Sequence, residues 1–270
     1  MRALLRRGGV ALGASAALFA VGVLAGLPVA WPFDAAITAW PVAVDPALLV
    51  ATSAPHVVVL QHGLFRSEAS MFRLARALAA HGFEPLNPGY ASTRGALADH
   101  AAALAAAIAA RRDAGPVGAW SFVGHSMGGL VVREYLRRAD AVRPTAVVTL
   151  GTPHRGAVLA DLRKRWFLFR WAMGDEAAFE LSPGDAQHAR PWPAECPVGA
   201  IAGQLDGDGN PAIPGPDDGT VAVGEALPAA AAARLVLPLG HTRLSFADAS
   251  VTATLHFLAR GSFPPVLPPR

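Results

Sequence analysis

From His56 onward, short apolar runs alternate with longer stretches of helical periodicity. His56-Val57-Val58-Val59-Leu60-Gln61 reads as a buried strand by its β-branched run. Phe83 to Leu86, Trp120 to Val123, Ala146 to Leu150, Val198 to Ala202 and Leu235 to Leu239 read the same way. Between them, Glu68 to Ala80, Leu97 to Arg112 and Met127 to Arg138 carry helical patterns, and Ser250 to Leu258 closes the chain as a further helix. Strands alternating with helices predict βαβ units and a mostly parallel sheet flanked by helices. Ligands of such sheets bind outside the carboxyl ends of the strands, so functional groups are expected where these runs stop. The chain shows no internal repeat.

The N-terminal pattern differs. Met1 to Arg7 is short and basic, and Gly8 to Pro32 runs without a charge. An apolar helix of about 20 residues spans a bilayer, whereas a signal peptide has a shorter apolar region and a small-residue cleavage site. Here the run is long and Val23-Leu24-Ala25 is only a weak site, so an uncleaved anchor is preferred over a cleaved signal. Arginines before the span place the N-terminus in the cytoplasm and the rest of the chain on the periplasmic or extracellular side. With a cleaved signal, the protein would instead be secreted. Trp31 and Trp40, with Pro28, Pro32 and Pro41, suit an interfacial exit and a stiff linker. The expected organisation is a segment over 1–32, a linker over 33–52 and one domain over 53–270.

Composition narrows this picture without redirecting it. Hydrophobic residues make up 53% and charged residues 16%, enough apolar surface for a large core. The pI is near 9.7 but the formal net charge is only +3, carried in short clusters such as Arg111-Arg112 and Arg137-Arg138. No long basic run interleaved with aromatics occurs, which argues against nucleic-acid binding. A single cysteine, Cys196, excludes an intrachain disulfide.

The chemistry concentrates around Gly124-His125-Ser126-Met127-Gly128, a G-x-S-x-G sequence set between a strand and a helix. A strained turn there packs strand against helix and lifts Ser126 Oγ at a helix N-terminus, where developing negative charge is favoured. The glycines leave room for that packing. A serine hydroxyl is a weak nucleophile and needs a base, itself oriented by a carboxylate. In this arrangement the chain order is serine, acid, histidine. Among the later histidines His241 follows the last strand and is the expected base. His256 falls inside the closing helix, His188 has no strand before it, and His154 is placed to line the pocket. For the acid, Asp206 and Asp208 compete with Asp217 and Asp218, and position alone leaves them nearly equal. Asp206-x-Asp208-x-Asn210 resembles the start of a calcium loop, but Pro211 stands where glycine is needed, so no metal is expected. Two amides should form an oxyanion hole: that of Met127 and, from the loop Gln61-His62-Gly63-Leu64-Phe65, that of Leu64. Phe65 is expected to touch substrate, and His62 to brace the loop.

Taken together, these residues resemble the lipase and esterase branch of the α/β-hydrolase superfamily, with the nearest likeness to small bacterial lipase-like hydrolases over roughly residues 56 to 263. His62-Gly63-Leu64 resembles the family's oxyanion turn and Gly151-Thr152-Pro153-His154-Arg155-Gly156 its G-T-P-H-x-G turn. Asp218-Gly219-Thr220-Val221 resembles its acid loop and Gly240-His241-Thr242 its histidine turn. The resemblance implies an α/β-hydrolase fold and a Ser126–Asp218–His241 triad, with Asp217 the second choice of acid. It also implies cleavage of carboxylic esters or lipids through an acyl-enzyme, without a cofactor. Acyl transfer by the same triad, or a non-catalytic binding domain at the membrane, are the alternatives. Two departures stand out: there are no disulfides, and residues 157–193, where a cap can sit, are few. That stretch holds Arg163-Lys164-Arg165-Trp166-Phe167, which suits either a lid against lipid headgroups or a helix packing its aromatics on the sheet.

Overall fold

The computed structural model describes residues 42–164, 179–193, 195–207 and 209–265. The expected N-terminal span, the aromatic stretch from Trp166 to Trp171 and Asp208 lie outside them. Among the described residues no helix is long and apolar enough to cross a membrane.

Six strands form one parallel sheet: β1 His56–Gln61, β2 Glu84–Leu86, β3 Ala119–His125, β4 Ala146–Leu150, β5 Val198–Gly203 and β6 Ala233–Leu237. Helices α1 Phe72–Ala80, α2 Leu97–Asp113, α3 Met127–Leu136 and α6 Asp248–Arg260 cover its faces. Two short helices, α4 Val158–Arg163 and α5 Val223–Ala226, lie near the carboxyl edge. The period-2 alternation along β1 divides the core into two layers. Val58 and Leu60 pack with α1 and α6 through Leu74, Leu78, Leu255 and Phe257. Val57 and Val59 pack with α2 and α3 through Leu104, Ile108, Leu130 and Tyr135. Both faces are therefore dry, which explains why the inner strands read as continuous apolar runs.

The strand order is β2-β1-β3-β4-β5-β6. From β1 the chain steps one way to β2, then crosses over β1 to β3 and continues outward. The direction reverses between β1 and β3, and a crevice opens beyond the carboxyl ends of strands at such a switch point. The loop carrying Gly63-Leu64 leaves β1 there, and Ser126 leaves β3 beside it.

The expected elements recur with shifted ends. The last strand spans Ala233–Leu237 rather than Leu235 to Leu239, because Pro238 has no N–H to continue the ladder. The first helix begins with a 3₁₀ turn over Glu68–Met71, and the closing helix starts two residues early, at Asp248, and ends at Gly261 with φ 72°. Helices α4 and α5 were not expected. Both are short, and α4 has no side-chain cap of its own: its first amide, Val158 N–H, donates to Glu225 Oε1 of α5 at 2.8 Å.

Candidate active site

Ser126 sits between β3 and α3 at φ 55° and ψ −127°, a conformation that costs a non-glycine residue about 1–3 kcal/mol. The surroundings hold it there. Its N–H donates to the Leu150 carbonyl at the end of β4 (2.9 Å), and its carbonyl accepts from Gly129 N–H (3.1 Å). The turn tolerates no side chains on its flanks: a Cβ on Gly124 would lie 2.4 Å from Gly129 Cα, and one on Gly128 2.3 Å from the Gln61 carbonyl oxygen.

His241 opens the 3₁₀ turn His241–Ser245 just beyond β6. Its Nε2 lies 3.0 Å from Ser126 Oγ and its Nδ1 2.7 Å from Asp218 Oδ2. The Asp218 carboxylate is almost fully buried, and its other oxygen accepts the amides of Thr220 (3.0 Å) and Val221 (2.8 Å). Both oxygens of that carboxylate are thus held by fixed donors, Oδ2 by the His241 ring and Oδ1 by two backbone amides. Asp217, its neighbour in sequence, points the other way. It accepts the amides of Asn210 (3.0 Å) and Gly219 (2.6 Å), and so closes the loop that presents Asp218. Asp206 is exposed. Of the competing carboxylates among the described residues, Asp218 is the one brought to His241.

The Leu64 turn stacks on the serine: a Cβ on Gly63 would lie 2.9 Å from Ser126 Cβ. Met127 is the first residue of α3, so no carbonyl of the helix can accept its N–H. His62 is buried and braces the loop from behind. Its Nδ1–H donates to the Gly63 carbonyl (3.0 Å), its Nε2 accepts from Tyr90 N–H (3.4 Å), and its carbonyl accepts from the Tyr90 hydroxyl (2.7 Å). The two rings stack at 4.3 Å. Burial lowers the His62 pKa to about 4, which keeps the ring neutral.

A cavity of about 310 Å³ opens over Ser126 and His241. Leu64, Phe65, Ala157, Leu159, Ala160 and Leu181 supply its apolar wall, and Asn210 and Thr220 line the acid-loop side. Phe65 therefore stands where expected. His154 does not: Pro153 reaches the cavity, whereas His154 is buried beneath it, bonded to Thr149 Oγ1 (3.1 Å) and to Trp192 Nε1–H (3.3 Å). Burial and the Arg133 guanidinium lower its pKa to about 3. The G-T-P-H turn directs its proline outward and its histidine into the core.

Three contributors were missed in the sequence. Tyr90 holds the His62-Gly63-Leu64 loop through His62, and Glu225 ties α4 to α5. His125 contacts the backbone of His241 and carries no such signal, because the motif leaves its position open. Among the described residues no group of three His, Cys, Asp or Glu side chains is arranged to hold a metal ion.

Residues 56–188 match the sequence model of the α/β-hydrolase fold family. The chain has the α/β-hydrolase fold. Among solved structures it is similar to the mature form of Bacillus licheniformis lipase BlEst2, with a TM-score of 0.59 and 22% identity over 81% of this chain and 94% of that one. The propeptide form of the same lipase gives a TM-score of 0.64 and 21% identity over 85% of this chain, which spans only 54% of that longer one. A metagenomic carboxyl esterase, MGS0156, gives 0.52 and 21%, over 76% of this chain and 68% of that one. At these identities the likeness is one of fold. No protein of curated function matches the chain in sequence.

Proposed function

We propose that this chain is a serine hydrolase of carboxylic esters with an apolar acyl chain, lipids included. The observation that carries the reading is the position of the His241 ring, within hydrogen-bond reach of both Ser126 Oγ and the buried Asp218 carboxylate at the mouth of a largely apolar cavity. In the proposed reaction His241 Nε2 takes the hydroxyl proton as Ser126 Oγ attacks the ester carbonyl. Asp218 holds the Nδ1–H tautomer and stabilises the imidazolium that forms. The amides of Leu64 and Met127 donate to the oxyanion as its charge develops, and a single such donor contributes about 3–4 kcal/mol to barrier lowering. Collapse expels the alcohol, protonated by His241, and leaves an acyl group on Ser126. Water, activated by the same histidine, then hydrolyses it. The apolar wall formed by Phe65, Ala157 and Leu159 suits an acyl chain better than a charged group. The lipase and esterase named among the similar structures support the same class.

A chain-length series of p-nitrophenyl esters tests this. The wild-type protein should release p-nitrophenolate, and Ser126→Ala should lower kcat on the order of 10⁴-fold or more. Turnover surviving intact in Ser126→Ala would contradict the reading.

The uncharged run from Gly8 to Pro32 supports placing this activity at a membrane, on the non-cytoplasmic side. Deleting residues 1–32 should release an active, soluble protein from the membrane fraction. A mature N-terminus near Gly26 would show a cleaved signal instead.

A further inference from the structure

Four contacts from outside its own turn hold His241, and all four lead to two short segments. From the acid loop, Asp218 binds it twice: through Oδ2 to Nδ1 (2.7 Å), and through its carbonyl, which accepts His241 N–H (2.9 Å). From the nucleophile turn, Ser126 Oγ meets Nε2 (3.0 Å), and the adjacent residue, His125, places its own Nε2 3.0 Å from the His241 carbonyl oxygen. A carbonyl only accepts, so His125 Nε2 carries the proton. Its Nδ1 is buried with no hydrogen-bond partner among the described residues, which leaves this single donated bond to orient the ring. His125 is only 2% exposed and its ring centroid lies 4.9 Å from that of His241.

We infer that His125 is a positioning residue for His241, coupling the backbone of the base to the turn that carries the nucleophile. The inference rests on the esterase reading. Its physical content is distance control. The Ser126–His241 contact spans 115 positions of sequence, and the two residues leave different strands. Without a tie between those strand ends, the base could drift from the hydroxyl while remaining paired with Asp218. Because His125 and Ser126 are consecutive, the first bond sets the backbone of the base at a fixed offset from the atom it must deprotonate. Displacements near 1 Å in such an arrangement cost about 10²-fold in rate. Burial and the neighbouring His241 hold the His125 pKa well below its usual value. The ring therefore stays neutral when His241 becomes an imidazolium, and adds no positive charge beside it.

The test separates the donated hydrogen bond from side-chain bulk. Glutamine and methionine have similar size and reach, and of the two only glutamine donates. Full-length wild type, His125→Gln and His125→Met are compared in kcat and KM for p-nitrophenyl butyrate and in the rate of inactivation by a fluorophosphonate, with thermal midpoints measured alongside. His125→Met should lower kcat roughly 10–100-fold with KM within about twofold, and inactivation should slow in parallel. His125→Gln should recover kcat to within about threefold of wild type. Equal loss in both variants, wild-type kcat in His125→Met, or an effect confined to KM would overturn the inference. If His125→Met does not fold, His125→Gln decides alone: a loss of about tenfold or more at a native thermal midpoint overturns it. Wild-type protein that resists the fluorophosphonate entirely would instead overturn the esterase reading itself. Inactivation of His125→Met at the wild-type rate would leave that reading standing and remove only the role of His125.

Discussion

The floor and the wall of the cavity are built on different principles. On the floor, Ser126, His241 and Asp218 are tied to one another and to backbone amides by short hydrogen bonds, and glycines at 124 and 128 let backbone approach backbone. The part of the wall formed by Ala157, Leu159, Ala160 and Leu181 presents methyl groups. Ala157 N–H donates to the Leu181 carbonyl (2.8 Å), Glu225 accepts from Val158 N–H, and Leu159 packs on Ile213 and Ala222. Directional bonds fix a geometry to fractions of an ångström, whereas apolar contacts fix a volume. The floor is therefore suited to chemistry and the wall to selecting what fits. Substitutions on each should fail in different currencies.

The largest effect is expected on the floor. Asp218→Asn should lower kcat about 10³–10⁴-fold, because an amide neither stabilises the imidazolium nor reliably holds its tautomer. Asp217→Asn, one residue away, should cost roughly tenfold or less, since it loosens the loop at the Asn210 and Gly219 amides without touching His241. The two kcat values measured side by side test the assignment, and the reverse order would move the acid to Asp217. On the wall, Ala160→Phe should fill part of the cavity and shift the preferred p-nitrophenyl ester to a shorter acyl chain. The expected loss of kcat/KM for the longest esters is about tenfold, with little change for acetate. An unchanged chain-length profile would mean that the acyl chain lies elsewhere.

The smallest effect concerns the histidines behind the floor. His62 and His154 are held neutral, with pKa values lowered to about 4 and about 3 from an ordinary value near 6.5. Between those limits the unfolded chain binds more protons than the folded one, so stability rises with pH there. The thermal midpoint should be highest above about pH 6.5 and fall by several degrees on acidification toward pH 4. A midpoint independent of pH across that window would show that these rings are not held neutral.

How much of this was legible in the sequence depended on how local each signal is. The strands read correctly where both faces are buried, because β-branched runs such as Val57-Val58-Val59 leave little choice of period. Ser126 and His241 were legible for a related reason, since the turn chemistry that presents them is written in adjacent residues. Asp217 and Asp218 were not separable by position, because consecutive side chains point opposite ways and only the fold decides which meets His241. The likeness of Asp218-Gly219-Thr220-Val221 to a family loop was needed to prefer one. His154 was misplaced because a turn motif does not state which of its side chains faces solvent. His125 was invisible as a contributor: its partner lies 116 positions away, and nothing near it in the chain announces the contact. Helix α4 escaped notice because its cap, Glu225, comes from 67 positions downstream.

The central claim is that Ser126 is the nucleophile, and locating a fluorophosphonate adduct by peptide mass spectrometry tests it most directly. A single stoichiometric adduct is expected on the peptide that contains Ser126, formed by the wild-type protein and lost in Ser126→Ala. An adduct on another residue, or undiminished labelling of Ser126→Ala, would contradict it.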